Sequence, residues 1–69
     1  MNFEALNLYL TGKYGHNGET TYIVVGVTRI DDADHLLLLW ADGEISFDSD
    51  VAGARLFKEL NQAQADMSK

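Results

Sequence analysis

The residue types best placed to do chemistry in this chain are acids. Asp32 and Asp34, Asp42 and Glu44, and Asp48 and Asp50 form pairs at i, i+2, and Asp31 adds a charge beside the first pair. Along an extended chain that spacing is about 6.6 Å and turns both carboxylates of a pair to one side. Phosphates of one nucleic-acid strand are spaced on the same order, each strand adding a charge per roughly 3.4 Å of axis. A row of such carboxylates can therefore occupy a nucleic-acid groove on another protein. Aspartate also gathers at turns and caps for purely local reasons, and DDAD and ADG need no further cause.

Other constellations are weaker. Asp48, Asp50, Gly53 and Glu59 fall on positions one, three, six and twelve of an EF-hand loop, with Leu56 at position eight. Position five, which wants Asp or Asn, is Ala52, and the preceding residues read as a strand. The same letters read as a helix N-cap followed by an amphipathic helix. Ser46 and Ser49 have no His and Asp at the spacing of a nucleophile triad. His16 and His35 lie too far apart in sequence to read as a ligand pair. GKYGHNG shares only its glycines with a phosphate-binding loop, lacking its Lys-Ser/Thr end. The bases Lys13, Arg29, Arg55, Lys58 and Lys69 form no cluster of the kind that binds nucleic acid. No enzyme, cofactor or metal site is expected.

Composition sets further bounds. A chain of 69 residues is one domain. At this size about 60% of the unfolded chain's surface is buried on folding, so stability is marginal and often needs a staple. With no cysteine a disulfide is excluded, which leaves a partner or a second copy as the expected aid. Eleven acids against five bases give a net charge of −6. That charge repels nucleic acid and anionic membranes and is drawn to basic surfaces. It is also of ordinary size for keeping a small domain soluble. The N-terminal MNFEALNLYL lacks the basic stretch of a signal peptide. No apolar run approaches the roughly 18 residues of a membrane span. A soluble cytoplasmic protein is the expectation.

The elements that must position these residues follow from periodicity. Residues 20–30, TTYIVVGVTRI, are rich in β-branched and aromatic types and read as a strand. Gly26 marks a bulge or the close approach of another element. After the polar turn 31–34, residues 35–41 form a second strand. Asp42-Gly43 reads as a type I′ turn, with 44–48 returning. From residue 50, Leu56, Phe57, Leu60, Ala63 and Met67 recur at helical spacing, which predicts an amphipathic helix over about 50–65, capped within 48–50. The first eleven residues suit either a helix capped by Asn2 or a strand at 5–11. The strand is adopted, pairing with 20–30 across the glycine-punctuated loop TGKYGHNGET. The expected fold is therefore α+β: a small antiparallel β-meander of three or four strands packed against one C-terminal amphipathic helix, with α-β-β-β-α as the alternative.

Leu36-Leu37-Leu38-Leu39-Trp40 is apolar on both faces of its strand, and so in part is Tyr22-Ile23-Val24-Val25. A sheet covered by one helix buries one face and wets the other. Either the chain folds over the second face, or that face meets a partner or a second copy. Tyr22, Val24 and Trp40 are the candidate anchors.

In size, acidity, lack of cysteine and absence of an enzyme motif, the chain resembles the small phage-encoded inhibitor proteins, the anti-CRISPR proteins among them. The likeness is one of general type and transfers no residue. It implies a free-standing α+β domain, acting in a host-cell cytoplasm, whose acidic surface blocks a nucleic-acid-binding subunit such as a CRISPR effector subunit. Combined with the acids, it gives the leading expectation: a non-enzymatic inhibitor that binds a basic, nucleic-acid-binding partner through Asp31, Asp32, Asp34, Asp42, Glu44, Asp48 and Asp50, with affinity that falls as salt rises. The alternative is a homodimer or adaptor module that binds through the apolar second face of its sheet and is nearly indifferent to salt.

Overall fold

The computed structural model describes residues 3–49, 51 and 54–69. Elements run α1 (Phe3–Leu10), β1 (Tyr14–His16), β2 (Thr21–Ile30), β3 (Ala33–Trp40), β4 (Ile45–Asp48) and α2 (Leu60–Met67). The four strands form one antiparallel meander in the order β1-β2-β3-β4. The fold is α+β, with a helix at each end. No helix among the described residues is long and apolar enough to cross a membrane.

The N-terminal segment is a helix, not the expected strand. Leu6 packs on the core and Leu10 lies in it, while Leu8 is 80% exposed. Two inward leucines four residues apart obey the helical period, whereas a strand would have turned Leu8 inward with them. The first strand lies instead within the glycine-rich stretch, at Tyr14–His16. Gly18-Glu19 closes its hairpin, with positive φ at Gly18, and Asn17 Oδ1 accepts from the Glu19 and Thr20 N–H groups at 2.9 Å. Glycine is required at Gly15 for space, because a Cβ there would collide with the Tyr22 ring. Burial, then the nearby charge of Asp48, pushes the Tyr22 phenol up from its ordinary pKa.

In β2 the register slips between Val24 and Gly26, so the bulge foreseen at Gly26 is present. A bulge disrupts the ladder locally. Here Asn7 of α1 reaches the gap, its Oδ1 accepting from the Val27 N–H at 2.8 Å.

The type I′ turn expected at Asp42-Gly43 falls instead at Asp31-Asp32. Ile30 pairs with Ala33 across Asp31-Asp32, which have φ of 51° and 66°. Two positive φ values in a two-residue loop make the type I′ turn. Around Asp42 only Gly43 is positive, at 93°. The Trp40 N–H donates to Glu44 O at 2.8 Å and the Gly43 N–H to Trp40 O at 2.9 Å. That is the three-residue loop with a glycine bulge.

The C-terminal helix begins at Leu60, well after the expected position near residue 50. Its N-cap is Glu59, whose side chain accepts from the Gln62 N–H while the Gln62 side chain accepts from the Glu59 N–H, a capping box. Asp48, assigned to the cap, belongs to β4, and Asp50 lies outside the described residues. Phe57, expected on the helix face, instead exchanges two 2.8 Å backbone hydrogen bonds with Tyr14 and closes the outer edge of β1. Between β4 and Phe57 the side chains of Val51, Ala54 and Leu56 pack against the core.

The core comprises Leu10, Tyr22, Val24, Val27, Leu36 and Leu38. It lies between one sheet face, α1 and the segment leading to Phe57. Among the described residues the other face is covered only on its β1 side. There α2 is anchored by His16, whose Nε2 lies 2.8 Å from Asp66 Oδ2, and Ala63 is fully buried.

Candidate protein-binding surface

Strand alternation sorts every sheet residue to one face or the other. Tyr22 opposes Trp40, Val24 opposes Leu38 and Val27 opposes Leu36; Leu38 and Leu36 in turn oppose Ser46 and Asp48. All of these lie on the core side. On the second face, Tyr14, Ile23, Leu39 and Ile45 stand in register as one apolar row across all four strands. Leu37 and Phe47 begin a parallel row beside it.

The anchors proposed for the second face are thereby corrected. Tyr22 and Val24 are buried in the core. Trp40 packs against that core, its ring edge-on to Tyr22 at 4.8 Å, its indole N–H donating to Ser46 Oγ at 2.7 Å. A run apolar on both faces carries no parity signal, so the sequence could not say which leucines point inward. On β3 and β4 the outward set is Leu39, Ile45 and Phe47, at 37%, 65% and 57% exposure. Ile45 and Phe47 were legible as an i, i+2 pair alternating with Glu44, Ser46 and Asp48. In β4 that amphipathicity is inverted: the apolar residues face solvent and Ser46 and Asp48 face the core side.

A shallow groove of about 240 Å³ extends this surface. Leu60 of α2 forms one wall, and Tyr14, Ile23 and Leu39 of the second face are among its lining. Leu39 lines the groove and stands opposite Ile45, with Phe47 the next residue of that face along β4.

The acids do not form one row. Asp31 and Asp32 are exposed at the β2–β3 turn, and Asp42 and Glu44 are exposed at the β3–β4 turn. Those turns lie at opposite ends of β3, and its eight residues separate them by about 23 Å. Asp34 is ion-paired with Arg29 at 3.0 Å. Asp48 is half-buried on β4, diagonal to Asp34, and Asp50 is outside the described residues. The acids therefore frame the apolar face at its two ends.

One further polar cluster was missed in the sequence. Asp66 contacts His16 at 2.8 Å, Arg55 at 3.0 Å and Lys69 at 3.9 Å. The hydrogen bond from His16, then Arg55, hold its carboxyl below the ordinary value, against the opposing effect of burial. His16 Nδ1 accepts from the Gly18 N–H at 3.0 Å, which leaves Nε2–H to donate to Asp66. The His16–Asp66 contact fastens α2 to β1. His35 is separate from this cluster, its Nδ1 3.0 Å from Ala33 O. Among the described residues no group of three or more side chains could hold a metal ion.

Compared with known protein families, curated proteins and solved structures, the chain matches none.

Proposed function

We propose that this chain is a non-enzymatic protein-binding module whose contact surface is the bare β3–β4 half of the second sheet face. The observation that carries the reading is the inverted polarity of β4. Ile45 and Phe47 are held out to solvent while the polar residues of the same strand face inward. An exposed apolar patch with a polar rim is the usual anatomy of a protein interface. Leu39, Ile45 and Phe47 are its centre. Asp42 and Glu44 at one end, and Asp31 and Asp32 at the other, are its rim.

The rim selects a basic partner. In its sharper form the module is an inhibitor of the anti-CRISPR type, occluding a nucleic-acid-binding surface on a partner such as a CRISPR effector subunit. What favours that form is the net charge of −6, with Asp31, Asp32, Asp42 and Glu44 all exposed. A continuous mimic of a phosphate row is not favoured by acids divided between two ends.

The test is binding to a panel of purified nucleic-acid-binding proteins, CRISPR effector subunits included, across a salt series. A stoichiometric complex that displaces nucleic acid is expected. Phe47→Ser should weaken it about tenfold or more. Reversing Asp42 and Glu44 to Lys should weaken it at low salt and flatten its salt dependence. Undiminished binding by Phe47→Ser would contradict the reading.

A further inference from the structure

We infer that β4 takes up an extended segment of the partner as a fifth strand, and that this segment reads basic–apolar–polar–apolar–basic. The inference rests on the reading above and specifies how the partner engages.

β4 is an edge strand. Among the described residues nothing pairs with its outer side, whereas the opposite edge of the sheet is closed by Phe57. The Trp40 N–H to Glu44 O bond fixes the alternation, so Ser46 and Asp48 direct their backbones toward β3. Ile45 and Phe47 then direct theirs outward. An edge of this kind is a template for another strand unless charge, proline or a bulge blunts it. Neither Lys nor Pro occurs in β4, its pairing with β3 has no register break, and its one charge, Asp48, stands at its last position, past the outward-directed Ile45 and Phe47.

Charge decides between a second copy and a partner. The two-fold self-pairing that uses both outward residues of each chain is centred on Ser46, with Ile45 opposite the second chain's Phe47. That register sets Glu44 directly opposite the other Asp48, and like charges so placed repel. Two chains of net charge −6 add to the repulsion. A partner strand in the same register avoids this with a basic residue opposite each acid. Its apolar residues, opposite Ile45 and Phe47, fall on the second face and extend the row that ends at Ile45. Its central residue, opposite Ser46, lies on the other side and is polar.

The test is titration of the isotope-labelled full chain with a capped peptide containing Lys-Val-Thr-Val-Lys, followed by NMR. Controls are the same peptide with Glu for both Lys, and one N-methylated at the backbone positions that pair with β4. The expected result is slowed exchange of the Ile45 and Phe47 amides, with both controls binding about tenfold weaker or less. Equal binding by the N-methylated peptide, with shifts at the Leu39, Ile45 and Phe47 side chains only, overturns strand addition and leaves the docking face standing. No effect of any peptide overturns strand addition, and the docking face is then judged separately by Phe47→Ser in the partner assay. Protection of the two amides that grows with protein concentration alone overturns the choice of partner over second copy.

Discussion

Asn7 shows what one side chain contributes where a strand is irregular. The bulge at Val24/Gly26 lets β2 change its pairing with β3, and Asn7 Oδ1 supplies the acceptor that the Val27 N–H needs. Thr11 Oγ1 donates to the same oxygen at 3.2 Å. A partly buried N–H left without a partner costs about 1–3 kcal/mol. Asn7→Ala should therefore lower the unfolding free energy by about that much in urea, while Asn7→Asp, which keeps an acceptor, should lose less. Gly26 was readable as a bulge because glycine interrupts an otherwise β-rich run. Asn7 was not, because its partner lies twenty residues away and only the folded helix brings it there. Asp31 and Asp32 teach the opposite lesson. Asp-Gly is the common type I′ signal, yet the pairing of Ile30 with Ala33 imposes that turn on two aspartates.

At the scale of elements, three strands were legible, read at 20–30, 35–41 and 44–48 and found at 21–30, 33–40 and 45–48: the first by its β-branched run, the second by its strand length between turn residues, the third by its alternation. The C-terminal helix was legible in kind but not in where it starts, and the N-terminal helix was only the alternative reading. Leu6 and Leu10 fit a helix and Leu6, Leu8 and Leu10 fit a strand, and only packing separates the two. Leu56 and Phe57 continue a helical period by coincidence: Leu56 packs on the core and Phe57 seals the β1 edge. The short α2 consequently depends on its attachment through Asp66 to His16 of β1 and to Arg55. The Asp66 carboxyl is held below 3.8, so its contribution is present above pH 3.8 and is lost as pH falls through the folded value. Hydrogen exchange of the α2 amides should speed up in that acid window before the β2 and β3 amides follow. In Asp66→Asn the acid step should disappear and α2 should be less protected at neutral pH.

For the whole molecule the proposed function assigns the two sheet faces separate duties, and substitutions should separate them. Leu36 is fully buried, and Leu36→Ala should cost about 2–5 kcal/mol, a large share of the stability of so small a domain. Phe47→Ser should change stability by only about 0.5 kcal/mol while weakening partner binding. A thermal melt and the partner assay, run on both variants, check the contrast. The candidate surface itself was half legible: the sequence showed that one face was in excess, and register alone showed which residues occupy it. The claim on which the rest depends is that this face is open for a partner and not consumed by a second copy. The most direct measurement is the molar mass of the pure chain by light scattering at low and high salt. The prediction is the monomer mass of 7.7 kDa at both. A dimer at both salts that Phe47→Ser converts to monomer would contradict it, because the face would then be spent on self-association.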